Sequence, residues 1–133
     1  MSRLLLGLLC AGLLWGCPKP STEEPTGEPG AQALLPLSGA NLEAGKDLYK
    51  TYCARCHGDT GKGDGPSAAN FDVLPTDFTN PAKVTAKSDE EFSSWVRDGG
   101  APKGKSALMP AFGRSLDAEQ IRDVSAYAKA FSR

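Results

Sequence analysis

The stretch Cys53-Ala54-Arg55-Cys56-His57 decides how the rest of this chain is read. Two thiols three positions apart fall on one side of a helical turn, and a histidine follows them directly. That spacing is the attachment signal for a covalently bound haem. The thiols meet the two vinyl groups on one side of a porphyrin, and the adjacent imidazole lies under the iron. Three other uses of such a pair compete. A thioredoxin-like redox pair needs a βαβ pattern around it, which is absent. A structural zinc site needs four ligands, yet His57 is the only histidine, and the other cysteines, Cys10 and Cys17, lie in or beside the apolar N-terminus. A plain disulfide leaves His57 and the glycines after it without purpose.

The flanking sequence reads as helices and loops. Asn41 caps a helix through Leu42, Gly45, Leu48, Tyr49 and Tyr52, which repeat at helical spacing and run into Cys53. Ser88 with Glu91 and Asp117 with Gln120 have the spacing of capping boxes. The first opens a helix with Phe92, Trp95 and Val96 on one face, and the second a last helix with Ile121, Val124, Tyr127, Ala128 and Phe131 along its stripe. Between the first two helices lie Gly58, Gly61, Gly63, Gly65, Pro66, Pro75 and Pro81, with no alternation of the strand type. So much irregular chain inside a small domain is accounted for by a large prosthetic group that it wraps. The expected fold is all-α, three to four helices and long loops around one haem. The stretch Asp59 to Gly65 lacks the ligand spacing of a calcium loop and the Gly-Lys-Ser/Thr of a phosphate loop, so it reads as turns and haem-edge packing.

A second axial ligand has few sources. Met109, in Leu108-Met109-Pro110-Ala111-Phe112, is the soft neutral candidate left once Met1 goes with the leader. Pro110 stiffens the loop that presents it. Lysine ligation or an open position are the alternatives.

The first residues read as an export signal. Arg3 is followed by an apolar run from Leu4 to Trp15, too short to span a bilayer, which takes about 20 residues. Leu14-Trp15-Gly16-Cys17 resembles the lipobox of bacterial lipoproteins, in which the cysteine is acylated on sulfur and becomes the new N-terminus. Pro18, Pro20, Pro25, Pro29 and Pro36 then stand among Ser, Thr, Gly and Glu, the composition of a tether. The expected organisation is a signal over 1–16, a lipid-anchored flexible segment over 17–39 and a domain over 40–133. Formal net charge is -1, with thirteen basic and thirteen acidic residues from Leu42 onward, and no basic stripe marks a nucleic-acid surface.

Taken in order, these motifs resemble a class I, mono-haem cytochrome c from about Leu42 to Phe131. Gly45 and Tyr49 match the small and aromatic positions of that family's first helix. They are followed by Cys53, Cys56 and His57, by Gly58 to Pro66, by Pro75-Thr76-Asp77-Phe78, by Val96, Gly99 and Met109-Pro110, and by the Val124/Tyr127 pair. The resemblance implies haem c held by Cys53 and Cys56, with His57 and Met109 as iron ligands. It implies close crossing of the first and last helices at Gly45. It also implies a proline carbonyl, Pro66's with Pro75's as rival, that accepts from the His57 ring.

The function so implied is electron transfer without enzymatic chemistry, by a monomer on the periplasmic side of a membrane, between redox partner proteins. The rivals are a haem-based sensor, a peroxidase-like enzyme and a fixed haem subunit of a larger complex. A second histidine for peroxidase chemistry is absent. The anchor gives the first expected outcome. Cys17→Ser should move the protein to the soluble exported fraction with its absorption spectrum unchanged, and radiolabelled fatty acid should enter only the unaltered chain. Membrane association that persists in the variant would mean that the apolar stretch itself is retained.

Overall fold

The computed structural model describes residues 33–133, so the signal over 1–16, Cys17 and most of the tether lie outside the described residues. Helix α1 spans Leu42–Tyr52, and Asn41 opens it as expected, its side chain accepting from the amides of Glu43 and Ala44 at 3.2 and 3.1 Å. Cys53 closes it, and a single turn, α2 (Ala54–His57), follows at once. Another single turn, α3 (Pro81–Val84), starts with Asn80 as cap and proline in its first position. Helix α4 covers Asp89–Asp98 and α5 covers Ala118–Ala130. Short 3-10 turns at Ala68–Asn70 and Ala101–Lys103 complete the order, and no strand occurs among the described residues. The three longer helices are those read from the sequence. The two single turns are the local consequence of Cys53 and Asn80 ending one run and starting the next.

Both capping signals act, but not equally. Asp117 and Gln120 bond reciprocally, at 2.8 and 3.0 Å. At α4 the Ser88 hydroxyl accepts from the Glu91 amide at 3.0 Å, the forward half of such a box.

The core forms where α1 crosses α5. Tyr49, Val84, Phe92, Val96, Leu116, Ile121 and Val124 are buried together, and each large apolar side chain removed from water contributes about 1.5–3 kcal/mol. Gly45 makes the crossing possible. A methyl group there would run into the Asp123 carbonyl and come within 3.0 Å of the Tyr127 Cβ. One turn later the Tyr49 ring packs between Tyr127 and Phe131, with centroids 5.4 and 5.3 Å away. The Asn41 amide donates to Asp123 at 3.1 Å, which ties the start of α1 to the middle of α5. Lys129 joins α5 to the start of α4 through the Lys87 carbonyl and Asp89, at 2.8 and 2.7 Å.

Upstream of residue 40, Leu37 is buried and Leu34 packs against the core.

Gly45→Ala tests the crossing. Alanine gains about 1 kcal/mol in helix propensity, but the obstacle is backbone, which yields only if the helices part, at a cost of roughly 3 kcal/mol. The variant should therefore be about 2 kcal/mol less stable in denaturant unfolding of the mature protein. A variant as stable as the parent would refute the tight crossing.

Candidate functional site

The site begins where α1 ends. The Cys53 amide donates to the Tyr49 carbonyl at 2.8 Å, and the Cys53 carbonyl then accepts from Cys56 and His57 at 3.0 and 2.9 Å. One tight turn thus places the two thiols on the same side, with the imidazole next to them. Both thiols are free and half-buried. Burial, with Cys56 as a smaller influence, pushes the Cys53 thiol up to about 12, so it stays protonated at neutral pH.

His57 is 9% exposed. Its Nδ1 lies 3.2 Å from the Thr76 carbonyl, which accepts only, so the proton of the neutral ring sits on Nδ1 and the Nε2 lone pair is left free. Burial lowers its pKa, against the opposing effect of that hydrogen bond, and so favours the neutral ring. Phe78 stacks on the imidazole, centroids 4.4 Å apart and planes 14° from parallel.

The partner of the ring is a correction. The Pro66 carbonyl was expected there, with Pro75's as rival, and Thr76 supplies it instead. Chain direction explains why. Gly65 and Ser67 donate to the carbonyls of Cys56 and Arg55 at 3.2 and 3.0 Å, which holds exposed Pro66 along the back of α2. The Pro75 carbonyl faces Gly63. Asp77 accepts from the amide and hydroxyl of Thr79 at 2.9 and 2.6 Å, and this turn settles the path of the backbone beside Thr76.

The glycines let the loop close under His57. Gly58 has φ +78 and Gly63 φ +80, values that side chains resist. The Gly63 amide donates to the His57 carbonyl at 2.8 Å, and the Gly58 carbonyl accepts from the Tyr49 hydroxyl at 2.8 Å.

Met109 arrives from the other side of the sequence. Gly100 donates to its carbonyl at 3.0 Å, and Phe112 and Gly113 donate to Val96 and Arg97 at 3.1 and 2.9 Å, which folds this loop back onto the end of α4. Phe112 meets Tyr52 edge to face at 5.9 Å. The methionine loop is thereby docked against the residue that precedes Cys53, and Met109 is half-buried.

Two thiols, a neutral imidazole with a free Nε2 and a thioether are the soft donor set that haem attachment and iron ligation use. The indole nitrogen of Trp95 is buried with no hydrogen-bond partner among the described residues. The same residues do not suit a plain metal ion, since among the described residues no three His, Cys, Asp or Glu gather. Sequence reasoning missed Thr76, Phe78 as the ring's stacking partner, and the Tyr52–Phe112 contact. The Pro75-Thr76-Asp77-Phe78 motif was a visible signal, but which of its carbonyls turns inward is a matter of backbone path.

Comparison with known proteins agrees. The family described as cytochrome c oxidase, cbb3-type, subunit III matches residues 40–127. Cytochrome c6 of Rippkaea orientalis is 33% identical over 99 residues, 71% of this chain and 75% of that protein. A quinohemoprotein alcohol dehydrogenase of Pseudomonas putida is 29% identical over 110 residues, which make up 83% of this chain and 12% of the dehydrogenase. Among solved structures, a chain of a reducing HAO-like protein complex from Kuenenia stuttgartiensis superposes with a TM-score of 0.60 at 28% identity. The match covers 69% of this chain and 44% of that one.

Gly63→Ala tests the support of the ring. The left-handed conformation alone costs roughly 1–2 kcal/mol, and the new methyl would push the Pro75–Thr76 backbone away from His57. The mature variant should lose about 2 kcal/mol or more in denaturant unfolding, and its His57 Nδ1 proton should exchange faster by NMR. Exchange unchanged from the parent would mean that Thr76 does not hold the ring.

Proposed function

This chain belongs to the mono-haem c-type cytochromes, and from that premise we propose that Cys53 and Cys56 hold the haem by thioether bonds while His57 and Met109 serve as axial ligands of its iron. The protein is an electron-transfer protein with covalently bound haem c. The group supplies a one-electron ferric/ferrous couple when bound. The observation that carries the assignment is the His57 ring, whose Nδ1 is occupied by Thr76 and whose Nε2 is left free beside two thiols one turn apart.

The protein's own residues then do three things. Thr76 orients the imidazole and increases its donor strength. Phe78, Tyr49 and Phe92 surround that side with rings, Phe78 meeting Tyr49 at 6.5 Å and Phe92 at 5.8 Å, and keep water from it. The loop from Gly99 to Phe112 presents a thioether, a ligand that raises the reduction potential.

The physiological setting is part of the proposal. Arg3, the apolar run to Trp15 and Cys17 support an exported protein held at the periplasmic side by lipid on Cys17. No helix of the described residues is long and apolar enough to cross a membrane. The partners are a donor and an acceptor of single electrons, served by a monomeric shuttle. A second reading, a fixed haem unit within a larger redox assembly, draws on the two matches that cover only 12% and 44% of longer proteins.

Met109→Ala is the test of the ligand set. In the oxidised parent the iron–sulfur bond should give a weak band at the red end of the visible spectrum. The variant should lose that band, show a lower midpoint potential, and bind carbon monoxide rapidly when reduced, while the parent hardly binds it. A parent that takes up carbon monoxide readily, or a variant with the same band and potential, would remove Met109 from the iron and favour a sensor.

A further inference from the structure

The chain between α4 and Met109 buries almost nothing. Across residues 101–108 Lys103 alone is half-buried, and the others, Leu108 included, are exposed. Among the described residues, the main-chain hydrogen bonds of this stretch close within the loop. Lys103 and Lys105 donate to the Gly100 carbonyl at 3.1 and 3.0 Å, Gly104 to Ala101 at 3.1 Å, and Met109 to Ser106 at 3.3 Å. These bonds give the loop a shape without fastening it to the helix.

Lys103 supplies the fastening. Its ammonium lies 3.6 Å from Asp98 Oδ2 and 5.5 Å from the centre of the Trp95 ring. Trp95 and Asp98 stand three residues apart on α4 and so share one of its faces, which one side chain of the loop thus grips at two points. Asp98 is otherwise ill placed, since a carboxylate in the last turn of a helix meets the negative end of its dipole. The hydrogen bond from Arg97, at 2.7 Å, holds its carboxyl below the ordinary carboxylate range against the effect of burial, and Lys103 adds to this. The side chains of Lys103 and Asp98 are 24% and 20% exposed, more sheltered than the fully solvated pairs that contribute little. The indole face attracts the same cation.

Gly100 joins this grip to the candidate ligand. Its carbonyl accepts from Lys103 and Lys105, and its amide donates to the Met109 carbonyl at 3.0 Å. The far limb of the loop is held separately, by Phe112 and Gly113 on Val96 and Arg97. We propose that Lys103, clamped by Asp98 and Trp95, is a positioning residue that keeps the Met109 thioether on the haem iron. The proposal rests on the ligand assignment above and adds what governs how often that bond opens. With Lys103 released, one limb of the loop is freed while the other still returns the sulfur to the iron.

The experiment compares the mature haem protein with Lys103→Gln, Lys103→Arg and Lys105→Gln. All should keep covalent haem and the red-end methionine band. Carbon monoxide uptake by the reduced protein, which waits on the sulfur leaving, should be about fivefold faster in Lys103→Gln, as for loss of a half-exposed ion pair and a cation over a ring. The amides of Gly100 and Lys105 should exchange with solvent faster in that variant by a similar factor. Lys103→Arg keeps the cation and should stay close to the parent in both readings, as should Lys105→Gln, which removes an exposed charge from the same loop. Uptake or amide exchange in Lys103→Gln equal to the parent's would overturn the proposal. An equal rise in Lys105→Gln would also overturn it, by assigning the effect to the charge of the loop. A parent that lacks the red-end band, or takes up carbon monoxide readily, would refute the ligand assignment itself, and this clamp with it.

Discussion

Helices α1 and α5 meet with no side chain between them at Gly45, and the position of the candidate site follows from that contact. Because α5 lies so close, the Tyr49 ring one turn later is held between Tyr127 and Phe131. Its hydroxyl is then directed at the Gly58 carbonyl, at 2.8 Å, directly after His57. Burial in this cluster raises the pKa of that hydroxyl, so it remains a donor at any physiological pH. A backbone contact far from the thiols thus determines where the histidine stands.

The remainder of the site is organised by loops that return to helix ends. The segment after α2 caps that turn's carbonyls and lays Thr76 beside the imidazole. The segment after α4 does the same for Val96 and Arg97 and brings Met109 in. Each loop spends its backbone hydrogen bonds on a helix terminus, which satisfies the orphan carbonyls there and leaves the side chains of the loop free to face a cofactor. This is how a chain with about a hundred described residues and only three long helices encloses a large planar group.

Much of this was legible in the sequence because the signals are local. Asn41, Ser88 and Asp117 cap helices through their own side chains, and the Cys53-to-His57 turn is set by residues four apart. Gly45 and Tyr127 were paired correctly only through the family resemblance, since nothing in either helix alone names the other. The partner of the His57 ring was misassigned for a related reason. Every residue has a carbonyl, and which one turns inward depends on how the loop closes, so proline identity carried no information that distinguished Pro66 from Thr76. Leu34 and Leu37 stand where local composition is polar and proline-rich, and their packing depends on a surface made by distant residues. The unpaired nitrogen of Trp95 could not be seen from sequence at all.

The central claim is that Cys53 and Cys56 hold the haem covalently. Haem staining on a denaturing gel, for the protein matured in an exporting host and for the Cys53→Ala/Cys56→Ala double variant, tests it most directly. The account requires a stained band for the parent and none for the variant. A stain that survives the double substitution would contradict it, as would a parent that loses its haem when denatured.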